Sequence, residues 1–386
     1  MLVSKVVVLT GGVGSLSVWS IYSASAEDAN IVVFNFEGSS SMKPIMEFLM
    51  SKYQEENKNK REIISFNISS VGSNAGLKKI LSGDSSFALV SHDISKLPQD
   101  EKYKNKWKSR KLKTITLAKE AMVLIYKPPK GCDKEIVVSS ENISKIYSVL
   151  SGYSYETQNL TFKSLINEND ESGKCDSFIF PWVKSTGPIK SGTAKAFVDN
   201  PLLSDFCKSK DNGNKDKCEA WVKNVKSSYG KDFRLNYVPE PTRLHWDNFK
   251  SNLQVGAITY LPSHFVFLNW DEISKEGLKI AKYKPNGTDI ALTSENFESQ
   301  INNYTWNRTF NLVYSIDDLN KGKNKELLTS LLTNACLLKD LKIGTFKYSV
   351  KKSVEKINGS SSSTECNSDA QEVDLEKQDE TEEKVK

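Results

Sequence analysis

Short apolar runs alternate with helical patterns over the first hundred residues of the chain. Mostly apolar runs occupy positions 31–36, 63–68 and 87–91, and each run has the length of one buried strand. After the first two runs, apolar residues recur at helical spacing, from Ile45 to Tyr53 and from Leu77 to Leu81. This alternation predicts an α/β fold with a largely parallel sheet.

The pattern is less regular further along the chain. A long apolar stretch over 114–126 is interrupted by a Lys-Glu pair and predicts two strands that pass between domains. Further strands are predicted over 256–261 and 304–314, and a helix over 326–338. Residues 151–180 are polar and lack clear periodicity, which indicates an insertion.

Three clusters of small and hydroxyl residues stand at predicted helix starts, namely Gly38 to Met42, Gly72 to Gly76 and Ser191 to Thr193. The first turn of a helix has unpaired N–H groups and the positive end of the helix dipole, so it attracts anions. Helix capping alone would explain each cluster taken singly. Because ligands of such sheets bind beyond the carboxyl ends of the strands, the three clusters together predict a single anion held by several helix starts.

The charge of the chain is unevenly distributed. The 386 residues carry a net charge of +5, but residues 358–386 contain nine acidic residues and three lysines, so the remainder is basic. The acidic, serine-rich tail is predicted to be disordered, since it cannot bury a core. Residues 102–113 hold seven Lys or Arg, which indicates either a solvated face or loop, or a docking patch for an anionic lipid or partner.

The first 26 residues have the pattern of a targeting segment. Lys5 precedes a mostly apolar stretch over 6–21, and Ala24-Ser25-Ala26 offers a small-residue cleavage site. A stable membrane span needs about 20 apolar residues, so an export signal is favoured over an N-terminal anchor. No cysteine follows the site, so a lipoprotein of the usual bacterial kind is not predicted. We expect an exported bacterial protein, tethered at the outer face of the cytoplasmic membrane or displayed at the cell surface.

The six cysteines can form disulfides if the chain is exported. Cys207 and Cys218 bracket a polar segment and are the best candidate pair, while the other pairings stay open. No C-x-x-C motif and only three histidines occur, so no metal site is predicted. The chain also lacks a nucleophile elbow, a P-loop and an H-E-x-x-H motif, so we predict neither an enzyme nor a cofactor.

The order of these segments resembles the substrate-binding protein of the high-affinity phosphate ABC importer. That family has a G-S-S-T-type loop, a G-S-G-A-G-like loop, a strand ending in small polar residues, an S-G-T helix start and a G-A-I-G-Y-like strand. Segments similar to P-T-x-E-N and Y-x-x-x-R-P-L follow. The matching segments of this chain are residues 38–44, 72–78, 88–95, 191–197, 256–260, 291–296 and 304–310.

The resemblance implies a two-domain, Venus-flytrap fold of the periplasmic-binding-protein-like type II, with the second domain inserted in the first. The chain is then expected to cross between the domains near residues 118–122 and 262–268. The implied division is a first domain of residues 30–119 and 266–350 and a second of 120–265, with the N-terminal segment 1–26 and the tail 358–386 outside them.

The family binds phosphate through N–H groups, hydroxyls, an arginine and a carboxylate. A carboxylate can accept a hydrogen bond only from a protonated ligand, which selects hydrogen phosphate over sulfate. Here the arginine position is Gly187; Lys190 can supply the charge but not a bidentate fork, and Asp93 is the candidate carboxylate. The implied phosphate-binding residues are Ser40, Ser41, Met42, Ser73, Asn74, Ser91, His92, Lys190, Ser191, Gly192 and Thr193.

The resulting hypothesis is an extracytoplasmic phosphate-binding protein that closes around the anion and delivers it to the permease subunits of an ABC importer. We expect a monomer with no nucleic-acid partner. Arg308 is predicted to form a structural salt bridge rather than to reach the cleft. The alternative is a surface protein that keeps the fold for adhesion or partner binding, with a degenerate anion site; the glycine at 187 and the basic stretch at 102–113 motivate it.

Overall fold

The computed structural model describes residues 30–60, 62–92, 94, 101–155, 160–166, 173–184, 192–228, 236–238, 242–345, 348–350 and 371–373. The predicted export segment, most of the acidic tail, Asp93, Gly187 and the site candidates Lys190 and Ser191 lie outside the described residues.

The described strands are β1 (Asn30–Gly38), β2 (Glu62–Ser69), β3 (Phe87–Val90), β4 (Leu112–Tyr126), β5 (Val137–Val138), β6 (Phe180–Lys184), β7 (Asn236–Val238), β8 (Ala257–Pro262), β9 (Lys279–Ile280), β10 (Lys282–Tyr283), β11 (Asn307–Ser315), β12 (Gly344–Thr345), β13 (Tyr348–Val350) and β14 (Gln371–Val373).

The described α-helices are α1 (Lys43–Glu56), α2 (Ser73–Ser82), α3 (Glu101–Ser109), α4 (Ile143–Ser151), α5 (Gly192–Val198), α6 (Pro201–Lys208), α7 (Asn212–Ser228), α8 (Thr242–Ser251), α9 (Ser263–Leu268), α10 (Trp270–Lys275), α11 (Phe297–Gln300), α12 (Ile316–Leu319) and α13 (Asn324–Asn334). Short 3-10 turns cover Ser40–Met42, Phe162–Leu165 and Ala335–Leu341.

One mixed sheet runs through the molecule, with the strand order β2-β1-β3-β11-β4-β8-β6-β7. β1 pairs in parallel with β2 and β3, and β6 pairs in parallel with β7 and β8. The pairs in the middle of the sheet, β11 with β3, β11 with β4 and β4 with β8, are antiparallel. The predicted α/β fold is confirmed, and its parallel pairing is concentrated at the two ends of the sheet.

Strand β4 connects the two ends. Its first part, Leu112–Ala121, pairs with β11, and its last part, Met122–Tyr126, pairs with β8. The apolar stretch is therefore one strand of 15 residues and not two, as the polar break in the pattern had suggested. The break does not interrupt the strand because Glu120, although fully buried, is ion-paired with Arg308 across the ladder.

The apolar core contains two large clusters that meet at this point of β4. The first cluster is formed by residues between Phe34 and Ala118 and between Phe310 and Ile343, and the second by residues between Ala121 and Trp306. The expected first domain included residues 266–306, whereas Val266 and Trp306 both pack in the second cluster. The division into domains stays a prediction, and the packing favours a boundary near residue 307.

The basic stretch is mostly helical rather than a loop. Tyr103 and Trp107 of α3 stack with ring centroids 5.9 Å apart and pack on a smaller cluster between α2 and β3. The four lysines of α3 are exposed and surround this apolar face, which gives the helix a solvated basic surface.

Part of the predicted insertion belongs to the core. Phe162 and Leu165 are fully buried in the second cluster, and Cys175 forms a disulfide with Cys132, a pair that the sequence had left open. These contacts explain why the segment lacks periodicity: it is held by a 3-10 turn and a cross-link instead of a regular element.

Several local predictions are confirmed. The disulfide between Cys207 and Cys218 is present, and the strands and helix predicted over 256–261, 304–314 and 326–338 correspond to β8, β11 and α13. Within the described part of the chain, no helix is both long and apolar enough to cross a membrane.

Candidate functional site

The first two small-residue loops lie side by side at the carboxyl ends of β1, β2 and β3. The amide of Gly72 donates to the carbonyl of Gly38 at 2.7 Å, and the amide of Ser39 donates to the carbonyl of Leu89 at 2.9 Å. Since β1 lies between β2 and β3 in parallel pairing, the chain leaves all three strands at the same edge of the sheet. Both loops therefore border one site.

Three serine hydroxyls connect these loops. Ser39 Oγ and Ser91 Oγ are 2.7 Å apart, and the Ser91 amide donates to Ser73 Oγ at 3.2 Å. Ser39 and Ser91 are buried, whereas Ser73 is half-buried at the first position of α2. With Ser39 as the donor to Ser91, the hydroxyl hydrogens of Ser73 and Ser91 have no acceptor among the described residues. Both remain available to an anion.

Two glycines make this close approach possible. A Cβ on Gly76 would lie 2.4 Å from the carbonyl oxygen of Glu37, and one on Gly38 would lie 2.1 Å from that of Leu89. Gly38 also has a φ of +144°, which favours glycine. The start of α2 is thus pressed directly against the end of β1.

The other candidates of the first two loops differ in their placement. Ser40 and Asn74 are exposed and Ser41 is half-buried, so these side chains border the loops without belonging to the serine contacts above. The side chain of Met42 is fully buried in the first cluster, because the 3-10 turn directs it inward, and its amide donates to the carbonyl of Ser39 at 3.1 Å. The Met42 side chain therefore belongs to the core, and binding of phosphate by Met42 stays a prediction.

His92 follows Ser91 at the end of β3 and is buried. Its carbonyl accepts a hydrogen bond of 2.8 Å from Asn311 Nδ2. Asn311 lies on β11 and also accepts from Thr116 Oγ1 at 2.7 Å. The central antiparallel strands thereby hold the end of β3 in place.

The third loop opens α5, whose position is fixed by aromatic packing. Phe197 stacks between Tyr147 and Tyr260, with ring centroids 4.5 and 4.0 Å away. The indole of Trp306 donates to the carbonyl of Ala196 at 3.2 Å. Gly192 and Thr193 form the first turn of this helix, and Thr193 is fully buried.

Thr193 contacts a buried charged cluster. Arg308 Nη1 donates to Thr193 Oγ1 at 3.1 Å, and Arg308 Nε and Nη2 lie 2.7 and 2.5 Å from Glu120 Oε2. His264 Nδ1 contacts the other carboxylate oxygen of Glu120. Glu120 and His264 lie in the two segments where the chain is expected to cross between domains.

The electrostatics of Glu120 follow from these neighbours. Burial alone would raise the pKa of this carboxyl, but Arg308 and His264 outweigh burial and lower the pKa to about 2. Glu120 is thus a carboxylate at neutral pH. The predicted structural salt bridge of Arg308 is present, but its contact with the candidate residue Thr193 was not foreseen. The sequence signals were the polar break inside the apolar stretch of β4 and the match of Arg308 to the arginine of the Y-x-x-x-R-P-L segment.

A second buried cation lies at the end of β6. Lys184 is fully buried, and its Nζ donates to Thr242 Oγ1 at 3.1 Å. Burial, together with the charge of Lys184, lowers the pKa of His245 well below its usual value. Since Thr259 Oγ1 donates to the carbonyl of Trp182, the nearby His245 Nε2 must be the donor in its 2.7 Å contact with Thr259.

Comparisons with known proteins show what the chain is similar to. The family model of the PBP superfamily domain matches residues 23–175. An uncharacterized lipoprotein of Mycoplasma genitalium is 29% identical over 302 residues, which cover 76% of this chain and 75% of that protein. Over the matched part the chain is thus similar to the PBP superfamily domain, and over most of its length it is similar to a bacterial lipoprotein.

Solved structures share the fold at low sequence identity. An ABC-type phosphate transport receptor from Vibrio cholerae superposes with a TM-score of 0.52 at 16% identity, covering 81% of this chain and 99% of the receptor. A human phosphate-binding apolipoprotein gives a TM-score of 0.52 at 12% identity, covering 81% of this chain and 91% of that protein. The predicted resemblance to phosphate-binding proteins of ABC importers is therefore confirmed at the level of the fold.

Proposed function

We propose that this protein is an extracytoplasmic receptor that binds inorganic phosphate between two lobes and delivers it to the permease of an ABC importer. The observation that carries the proposal is the meeting of Ser39, Ser73 and Ser91 at one edge of the sheet, with two hydroxyl hydrogens left for an acceptor. The shared fold supports it.

A dehydrated anion needs such a surface. Burying an unpaired charge costs several kcal/mol, so a bound phosphate needs many hydrogen-bond donors. The first turn of the ten-residue helix α2 adds unpaired amides to the hydroxyl of Ser73. Neutral donors of this kind hold an anion without requiring an equal countercharge nearby.

The second lobe completes the proposed site with Thr193. In this proposal the domains are the two core clusters, and they close by a hinge motion at β4 and β11, which contribute to both. Of the implied ligands, Ser73, Ser91, Gly192 and Thr193 keep their proposed roles, while Lys190 and Ser191 remain proposals from the sequence.

The proposed location is the outer face of the cytoplasmic membrane. Two disulfides, Cys132–Cys175 and Cys207–Cys218, support an oxidising compartment. The similarity to a lipoprotein supports display at a membrane surface, with residues 1–26 acting in export or tethering.

Isothermal titration of protein freed of bound phosphate by unfolding and refolding tests the proposal. We expect heat of binding with phosphate and a weaker response to sulfate and molybdate. No heat with any of these tetrahedral oxyanions would overturn it and favour the alternative of an adhesion or partner-binding protein.

Matched hydroxyl variants locate the site. Ser73→Ala and Thr193→Val should each weaken phosphate binding by about tenfold, because each removes a hydrogen bond to a charged ligand. The controls are Ser82→Ala at the opposite end of α2 and Thr329→Val on α13, which should bind like the unsubstituted protein. Equal affinity in all four variants would remove the site assignment.

A further inference from the structure

We propose that Arg308 is a positioning residue of the anion site, which orients the Thr193 hydroxyl towards the ligand. The inference rests on the proposed function and deepens it. It assigns a role to a strand residue that lies 115 positions away from Thr193 in the sequence.

The direction of one hydrogen bond carries the first step. A guanidinium has only donors, so Thr193 Oγ1 must accept from Arg308 Nη1 in their 3.1 Å contact. The hydroxyl hydrogen of Thr193 is then free to donate elsewhere. A phosphate oxygen is an acceptor of the required kind, and a hydroxyl that already accepts from a cation is a stronger donor to it.

The fixed orientation of Arg308 carries the second step. Glu120 contacts Nε and Nη2, so one edge of the guanidinium is occupied and the Nη1 end is directed at Thr193. Because the guanidinium is planar and rigid, its bond to Glu120 also fixes the direction in which Nη1 donates. A lysine ammonium at the same place would carry the charge but would not fix the direction of its N–H bonds. His264 contacts the other oxygen of the Glu120 carboxylate, so this carboxylate interacts with both Arg308 and His264.

The location of the group carries the third step. Trp306 immediately precedes β11, and Arg308 is the second residue of that strand. Trp306 contacts Ala196 and Arg308 contacts Thr193, so both side chains hold α5 in place. Both Arg308 and Thr193 are at least 96% buried, where hydrogen bonds of a charged group are strongest.

Phosphate titrations of four proteins test the inference: the unsubstituted chain, Arg308→Lys, Thr193→Val and the double variant. We expect Arg308→Lys to weaken phosphate binding about tenfold in the unsubstituted chain and less than twofold in the Thr193→Val background, because the lost orientation matters only while the hydroxyl is present. In a Thr193→Ser background, which keeps the hydroxyl, Arg308→Lys should again cost about tenfold.

A purely structural ion pair would give a different pattern. In that case Arg308→Lys would lower the melting temperature and leave phosphate affinity within twofold, or would weaken binding by the same factor in both backgrounds; either result overturns the inference. Arg110→Lys is the matched control, since Arg110 forms a part-buried pair with Asp318 at the opposite end of the first part of β4.

A measurement on the unsubstituted chain keeps the test decisive if Arg308→Lys does not fold. The sequence contains five arginines, so side-chain nitrogen NMR of arginine-labelled protein gives few guanidinium signals. The signal that Thr193→Ser perturbs should shift on addition of phosphate. An unshifted signal in protein that binds phosphate overturns this inference alone, whereas absence of phosphate binding overturns the proposed function and this role together.

Discussion

The two halves of the candidate site hold their hydroxyls by different means. Around Ser39, Ser73 and Ser91 the described contacts are neutral, and two close-packed glycines shape the backbone beneath them. Around Thr193 the contacts come from a guanidinium that is itself held by a carboxylate shared with an imidazole. The first, neutral half depends on the shape of the backbone, and the second, charged half depends on the ion pair. Different substitutions should therefore destabilise the two halves.

Removing the carboxylate should have the largest effect. Glu120→Gln leaves Arg308 as a buried charge beside a neutral amide, and the loss of one partner of a buried pair costs about 3–5 kcal/mol. Urea unfolding followed by circular dichroism measures this cost. Asp317→Asn, which breaks an exposed 3.0 Å pair with Lys111, should cost less than about 1 kcal/mol. Equal costs for the two variants would contradict the view that the second half depends on charge.

Acid should weaken the charged half next. The pKa of Glu120 is about 2 in the folded protein, below its ordinary value of 4.5, so its contribution to stability is complete above pH 4.5 and is lost as the pH falls towards 2. The loss amounts to at most about 3 kcal/mol at 1.36 kcal/mol per pKa unit. Between pH 5 and pH 3 the free energy of unfolding of the unsubstituted chain should therefore fall more steeply with decreasing pH than that of Glu120→Gln.

A second carboxylate titrates over the same range and needs its own control. A hydrogen bond from the Trp246 indole, with help from Arg243 and Lys250, lowers the pKa of Glu272 to about 2. Glu272 is partly exposed on the surface, so solvent screens its contribution. In Glu272→Gln the free energy of unfolding should still fall between pH 5 and pH 3 almost as much as in the unsubstituted chain. If it no longer changed with pH, the acid dependence would come from Glu272 on the surface and not from Glu120.

The neutral half of the site, around Ser39, Ser73 and Ser91, should lose stability when a side chain is added where the backbone packs closely. Gly76→Ala places a Cβ 2.4 Å from the Glu37 carbonyl oxygen, so we expect a loss of about 1–3 kcal/mol in the free energy of unfolding, although alanine is the better helix former. Ala75→Gly, in the same turn of α2, should cost about 1 kcal/mol from propensity alone. A Gly76→Ala protein more stable than its parent would show that the two loops are not closely packed.

The neutral half was predictable from the sequence because its signals are local. Strand, small-residue loop and helix follow one another within about fifteen residues, and the end of α2 at Gly83 was correctly predicted. The inward direction of Met42 was not predictable, since a serine-rich run does not distinguish a helix start from the 3-10 turn that precedes α1.

The charged half was not predictable because its members are far apart in the sequence. Glu120 is separated by 144 residues from His264 and by 188 from Arg308, and only the register of β4 with β11 places Arg308 opposite it. The disulfide between Cys132 and Cys175 is likewise a long-range pairing, for which the spacing of cysteines gave no preference.

The smallest expected effect is that of Ser39→Ala, and it separates the halves most finely. The change removes the 2.7 Å contact with Ser91 Oγ, which should cost about 1 kcal/mol of stability and weaken phosphate binding by only a few fold, since Ser91 can still donate to the ligand. Because no titratable side chain takes part in this contact, the ratio of phosphate affinities between variant and parent should be the same at pH 4.5 and pH 6, a range over which phosphate stays mostly a monoanion. Titration calorimetry at the two pH values measures it, with Thr333→Ala on α13 as the control. A ratio that changes between the two pH values would mean that the serine contacts are coupled to a charged group, and the distinction between a neutral and a charged half would then fail.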